Sequence, residues 1–160
     1  MQKISIIMGS QSDLETVNEA INLLKEFKVS FEAKVLSAHR TPKEVAQYVE
    51  SAPKAGTKVF IAAAGMSAAL AGVVASHTTL PVIGIPIETK NLKGLDSLLS
   101  TVQMPPGIPV ACMAIGKAGA KNAALFALEI LGLNDAKIRS KLVNYKKQMR
   151  LKIKQTKIKI

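Results

Sequence analysis

The sequence predicts an α/β domain built as a three-layer, doubly wound parallel sheet of about five strands, and three observations predict it. Short apolar runs alternate with segments of helical period along the chain. The central runs are continuously apolar, as strands buried on both faces of a parallel sheet must be. After the runs come loops rich in Gly, Ser and Ala or a helix-start signal, so the strand-end loops gather on one rim.

The elements follow in order. Residues 3–8 (KISIIM) read as the first strand, and the turn MGSQSD (8–13) follows it. Leu14, Val17, Ile21, Leu24 and Phe27 then recur at helical spacing. In FEAKVL (31–36) apolar and polar residues alternate, as in a strand with one buried face. The next helix has Thr41 to cap it, Pro42 at its first position and Glu44 to close a capping box with Thr41. Between Val59 and Ile87 there is no Asp, Glu, Lys or Arg, a length that could cross a bilayer. Gly65, Ser67, Gly72, Ser76, His77, Pro81, Gly84 and Pro86 cut that stretch into a strand (57–63, running into VFIAAAG), a helix (MSAALAGVVASH) and a strand (81–87). A βαβ unit, not a membrane span, is the expectation. A fifth strand is placed at 108–115, followed by the alanine-rich helix GKAGAKNAALFALEIL and a last helix, DAKIRSKLVNYKKQMRLKIK.

A chain of 160 residues, 48% hydrophobic, suffices for one domain with a sizeable core. Residues 1–133 are expected to form it, with 134–160 a C-terminal helix and basic tail packing on the same domain or a neighbouring subunit. Cys112 is the only cysteine and lies in the apolar run IPVACMAI, so it reads as a buried structural thiol, not a nucleophile. The chain opens on a strand-like run, not a basic and hydrophobic leader, and a cytoplasmic location is expected. From Asn134 to Ile160 there are ten Lys or Arg against the single Asp135, so the tail carries +9 of the net +11 and residues 1–133 only +2. With 4% aromatic residues and no Trp there is little base-stacking equipment. The tail reads as a solvated helix with a lysine-rich end, and no nucleic-acid or membrane partner is expected. Ile138, Leu142, Tyr145 and Met149 make an apolar stripe along it, suited to docking on a neighbouring subunit.

SAHRTPK (37–43) carries the chemistry. It puts His39 and Arg40 at the carboxyl end of a strand, where open α/β sheets bind ligands. Histidine exchanges a proton near neutral pH, and arginine holds an anion through two N–H groups at once. The pair suggests acid/base chemistry on a phosphorylated or carboxylated small molecule. In MGSQSD, Gly9 permits a tight turn, Ser10 or Ser12 can cap, and free amides can face an anion; Ser12 with Glu15 would also satisfy a plain capping box. Asp13 could accept hydrogen bonds from sugar hydroxyls, although an acid in a first helical turn is also favoured by the helix dipole. The glycine spacing is neither a dinucleotide fingerprint nor a P-loop. His77 reads as a capping or surface histidine, about three turns from the loop that precedes its helix.

MGSQSD after the first strand, SAHRTP after the second, AAAGMSAALAG after the third, and GLDSLLSTVQMPPGIPVACMAIGKAGAKNAALFALEIL together resemble the N5-carboxyaminoimidazole ribonucleotide mutases of purine biosynthesis, the class I phosphoribosylaminoimidazole carboxylase catalytic subunits. The match runs in order from about Ile4 to Leu131. The resemblance implies a flavodoxin-like fold, a homo-octamer with active sites where subunits meet, and no metal or organic cofactor. It implies that His39 is catalytic, that Ser10 and Asp13 bind the nucleotide and that Arg40 holds its phosphate. It also implies that Ser12, Ser37, Ala38, the loop with Ala64, Gly65, Ser67 and Ala68, and the amides of Gly116, Lys117 and Ala118 line the pocket.

Close members of that family often read GGAAHLPG where this chain has Gly65 to Gly72, with Ala69 in place of a histidine and Ala71 in place of a proline. That loop leans toward the related carboxylases that take carbon dioxide directly, whereas Arg40, VQMPPGIPV and GKAGAKNAA favour the mutase. The carboxylase is the alternative activity. A reading of another class is a mononucleotide-binding regulator that does no chemistry. Receiver-type regulators need an acidic cluster at the strand ends, and only Asp13 is near this rim.

Overall fold

The computed structural model describes residues 3–158; Lys159 and Ile160 of the basic tail lie outside the described residues. The chain runs β1 (Ile4–Met8), a 3₁₀ turn (Gln11–Asp13), α1 (Leu14–Glu26), β2 (Phe31–Val35), α2 (Pro42–Ser51), a second 3₁₀ turn (Ala52–Ala55), β3 (Val59–Ala64), α3 (Leu70–Ser76), β4 (Val82–Pro86), α4 (Leu95–Val102), β5 (Ala111–Cys112), α5 (Gly116–Gly132) and α6 (Ala136–Gln155). The five strands form one parallel sheet in the order β2-β1-β3-β4-β5.

Alternation along β1 divides the core. Ile4, Ile6 and Met8 face a layer made by α1, α5 and the start of α6, with Val17, Leu24, Ala124, Leu128, Ile138 and Leu142 packed against them. Ile7, Phe60 and Ala62 face the opposite layer, where Val45 and Val49 of α2 and Leu70 and Val74 of α3 close over them. Each such fully buried side chain contributes about 1.5–3 kcal/mol relative to exposure. The uncharged stretch from Val59 to Ile87 is β3, α3 and β4. No described helix is long and apolar enough to cross a membrane.

The chain reverses direction across the sheet between β1 and β3, so the crevice at their carboxyl ends is the switch point where such sheets hold ligands. The loops after β1, β2 and β3 meet there.

Several local expectations are corrected. Beside Pro109, which has no N–H to give a ladder, β5 shrinks to Ala111 and Cys112 on the sheet edge, paired only with Ile83 and Gly84. α3 starts at Leu70, not Met66, because Met66 has a left-handed backbone (φ 57) that interrupts helical geometry. In β2, Ala33 and Val35 are exposed, while Glu32 and Lys34 are half-buried against Tyr48: Glu32 accepts a hydrogen bond from the Tyr48 hydroxyl at 3.0 Å, and Lys34 sits 4.3 Å from the ring centre. The alternation there does not mark a buried apolar face. The stripe on α6 docks at home. Ile138 and Leu142 are buried, Tyr145 packs on Phe27 with ring centres 5.8 Å apart, and only from Met149 onward is the stripe exposed.

Helix α4 is missing from the predicted elements although Leu95, Leu98, Leu99 and Val102 recur at helical spacing; what the pattern does not tell is that this face points outward. Ser97 and Thr101 are its buried residues, the Ser97 hydroxyl donating to the Ile87 and Gly94 carbonyls and that of Thr101 to the Ser97 carbonyl. Gly84 lets it approach the sheet, since a Cβ there would collide with the Thr101 methyl.

Candidate active site

The two strand-end loops nearest the switch point are cross-tied by their own side chains. Ser10, ahead of the 3₁₀ turn, donates its N–H to Asp13 Oδ2 at 3.0 Å, while its hydroxyl accepts the Ser12 N–H at 3.4 Å. The capping box is thus Ser10 with Asp13, not Ser12 with Glu15. Asp13 is only 7% exposed. Burial pushes its carboxyl above the ordinary carboxylate range, opposed by the Ser10 N–H, the Ser12 hydroxyl and the charge of Arg40.

In the second loop, Thr41 does not cap α2 with its side chain. Its Oγ1 instead accepts the Ser37 N–H at 2.8 Å and donates to the Ser37 carbonyl at 3.1 Å, which closes the turn that carries His39. Arg40 then reaches back across the crevice. Its Nη2 donates to the Gly9 carbonyl at 2.7 Å and its Nε to Ser37 Oγ at 3.3 Å, so the guanidinium bridges the loops after β1 and β2 with N–H groups to spare for an anion. His39 is exposed beside it.

These groups open on one cavity of about 670 Å³. It brings together Ser10, Ser12, Asp13, Ser37, Ala38, His39, Arg40, Ala64, Gly65 and Ser67 from the predicted set. Ala68 lies just beneath, buried under the loop. Gly116, Lys117 and Ala118 do not line this cavity; they begin α5 at the carboxyl end of β5, and Lys117 donates to Glu15 at 2.7 Å. The Lys117 ammonium lowers the Glu15 carboxyl and is itself raised by it, but both are exposed, and such pairs contribute little. A second cavity of the same volume, away from this chemistry, is lined by His77, exposed at the C-terminal cap of α3 with Nδ1 2.9 Å from Glu50. Cys112 is half-buried and its thiol is raised by burial, the opposite of an activated nucleophile.

Sequence reasoning missed the loop after β4. Ile87, Glu88, Thr89 and Lys90 line the cavity, as do Met66, Ala69 and Leu70. Thr89 is held by donating to Asp96 Oδ1 at 2.9 Å. The signal was positional, since this loop leaves the same rim as the others.

The site therefore combines a proton carrier, an anion clamp, hydroxyls and a buried carboxylate with the apolar Ala64, Gly65, Ala69 and Leu70 in one lining. It can hold a phosphorylated, sugar-bearing ligand and move a proton on it.

Comparison with known proteins identifies the family. The family model of the AIR carboxylases matches residues 3–152. The N5-carboxyaminoimidazole ribonucleotide mutase of Saccharolobus solfataricus is 52% identical over 99% of this chain and 99% of its own length. The proteins of that name from Pyrococcus abyssi and Bacillus subtilis are both 54% identical, over 94% and 87% of this chain and 85% and 86% of their own. Among solved structures, Treponema denticola PurE superposes with a TM-score of 0.87 at 29% identity, covering 96% of this chain and 94% of its own. The chain belongs to the AIR carboxylase family.

Proposed function

We propose that this member of the AIR carboxylase family is an N5-carboxyaminoimidazole ribonucleotide mutase, which forms 4-carboxy-5-aminoimidazole ribonucleotide in the synthesis of purine nucleotides. The observation that carries the reading is the convergence of His39, Arg40, Ser10 and Asp13 on one cavity that the small, apolar Ala64, Gly65 and Ala69 also line. Relatives of that name at 52–54% identity support it.

The residues divide the work. Arg40, already cross-tied to Gly9 and Ser37, and the Ser10 hydroxyl hold the phosphate. Asp13 accepts hydrogen bonds from the ribose. Ser12, Ser37 and Ala38 shape the same side, with Ala64, Gly65, Ser67 and Ala68 forming and backing the other. The substrate is a carbamate. Protonation of its exocyclic nitrogen by His39 weakens the bond to the carboxyl carbon; that bond breaks, its electron pair stays on nitrogen, and carbon dioxide leaves. The aminoimidazole is an enamine, so its ring carbon 4 attacks the retained carbon dioxide and a carbon–carbon bond forms. The proton then on carbon 4 returns to His39, which restores the aromatic ring and the acid. One imidazole serves both steps because the base left by the first proton transfer is the one that accepts the second. Holding carbon dioxide beside the ring replaces an encounter in dilute solution with a positioned one.

The enzyme works as a homo-oligomer, an octamer as the family resemblance implies, in the cytoplasm, with the nucleotide as its small-molecule partner. The outward face of α4 supports assembly. Leu95, Leu99 and Val102 of that helix, with Leu92 before it, are exposed while Ser97 and Thr101 are buried, an apolar stripe turned the wrong way for a monomer.

A second reading, a carboxylase that takes aminoimidazole ribonucleotide and carbon dioxide directly, is favoured by Ala69, at the end of the loop after β3, and Ala71, in the first turn of α3. Supplying the carbamate substrate at low bicarbonate, against aminoimidazole ribonucleotide with carbon dioxide, separates the two. Carboxylated imidazole formed rapidly from the carbamate supports the mutase. Turnover only in the second arm overturns it.

A further inference from the structure

Met66 stands apart in the cavity wall. Its backbone lies in the left-handed region (φ 57) that glycine occupies without strain, yet it carries a long side chain that is 71% exposed at the mouth. The turn holds it there: the Met66 carbonyl accepts the Ala68 N–H at 2.9 Å and the Ser67 carbonyl accepts the Ala69 N–H at 2.8 Å. Lys28 and Lys93, the other non-glycine residues with positive φ among those described, do not line this cavity. Met66 thus gives up both backbone comfort and the shelter of its apolar side chain, and it does so beside Gly65, Ala69 and Leu70, in the lining of the cavity that His39 and Arg40 also line. Strain of this kind persists where the position is used. Methionine is also the apolar side chain best able to swing and refill a changing space.

We propose that Met66 is a positioning residue, an apolar flap that folds from the mouth over the bound nucleotide and keeps carbon dioxide beside the ring between the two half-reactions. The inference rests on the mutase reading. The first half-reaction breaks the carbamate N–C bond, with the proton from His39 and the bond's electron pair both going to nitrogen. At that moment two fates compete: attack by ring carbon 4, giving carboxylated product, and escape of carbon dioxide, leaving aminoimidazole ribonucleotide. A flap acts on this competition and leaves the protonation that precedes it alone.

The test measures that ratio. Purified wild type and the variants Met66→Gly, Met66→Ala and Met66→Leu receive N5-carboxyaminoimidazole ribonucleotide at low bicarbonate, and both products are quantified against the spontaneous loss without enzyme. Glycine suits the backbone at this position, so Met66→Gly folds with a melting temperature equal to or above that of wild type. Loss of one apolar side chain's contact should raise the leaked fraction by about tenfold in Met66→Gly and Met66→Ala. Met66→Leu should return it to near the wild-type value. Wild-type partition in a folded, active Met66→Gly variant overturns the flap and leaves the mutase reading standing. A wild type that makes no carboxylated product overturns both.

Discussion

Replacing Asp13 by Asn should move stability and substrate binding in opposite directions. The carboxyl is only 7% exposed and is held on the Ser10 N–H at 3.0 Å and near the Ser12 hydroxyl at 3.5 Å. Asn keeps this shape: its oxygen accepts the same N–H, and its NH₂ can donate to the Ser12 hydroxyl. What it removes is a charge that the folded protein disfavours, because burial raises the Asp13 carboxyl above its ordinary value of 3.8. A carboxyl with a raised folded pKa binds protons more tightly in the native state than in the unfolded chain. Its ionisation therefore costs stability above the folded pKa, and that cost is relieved as pH falls through the folded pKa towards 3.8. Asp13→Asn should accordingly melt at or above the wild-type temperature near pH 7, and the advantage should shrink at about pH 4. Binding goes the other way. A hydrogen bond to a charged acceptor contributes about 1.5–3 kcal/mol and one to a neutral acceptor about 1, so each ribose hydroxyl held by Asp13 should cost roughly 1 kcal/mol, or about fivefold in KM. Melting curves at the two pH values and steady-state kinetics read both effects. A loss of stability near pH 7 beyond about 1 kcal/mol, the ordinary cost of a substitution, with KM unchanged would refute the reasoning and make Asp13 a capping residue only.

Three further outcomes follow from the site and the tail. His39→Asn, which keeps hydrogen bonding but cannot carry a proton, should lower turnover by about 10³–10⁴-fold with nucleotide affinity within a few-fold, and a variant retaining about a tenth of the rate would remove His39 from the central role. Arg40→Ala should raise KM by about tenfold or more and Ser10→Ala by about fivefold, in line with charged and neutral hydrogen bonds; unchanged KM in both would put the phosphate elsewhere. Deleting Lys152 to Ile160 should leave the catalytic rate intact, because only exposed residues are lost among those described, whereas truncation at Asn134 should lower the melting temperature by uncovering Phe27 and Leu128. Loss of activity in a folded, assembled short deletion would mean that a tail residue reaches a site.

Much of the fold was legible because the residues agree with one another at several levels. Continuous apolar runs in β3 and β4, the largely apolar β1, the small-residue segment between β3 and β4, and Pro42 at the start of α2 point to one topology, and the topology puts SAHRTPK on the rim. The predicted first loop and second loop meet because β1 and β2 are neighbours. What could not be read depends on contacts distant in sequence. Neither the docking of Arg40 on Gly9 nor the exposure of Ala33 and Val35 has a local signature; Leu95, Leu98, Leu99 and Val102 of α4 do recur at helical spacing, but the pattern does not tell that this apolar side faces outward. Thr41 was rightly placed at a helix start, yet its hydroxyl serves the turn of His39 and not α2, a choice between two nearby N–H donors that sequence does not determine.

Three places where this chain departs from local preference lie on one edge of the sheet. A carboxylate is buried at the end of β1, a methionine takes a glycine conformation at the end of β3, and leucines face outward on the helix that follows β4. Each costs stability in an isolated domain, and all three leave the carboxyl edge of the sheet, whose lower half obeys the rules of a parallel core. Lys28, left-handed (φ 54) between α1 and β2, departs at the opposite edge and lines no part of this cavity. The position of the three on one rim is what function demands: a charge held for a ligand, an apolar side chain held for a reactive intermediate, and an apolar face held for a neighbouring subunit. If so, relieving them one at a time should stabilise the folded chain while weakening a different property each time: nucleotide binding for Asp13, product partition for Met66 and assembly for α4.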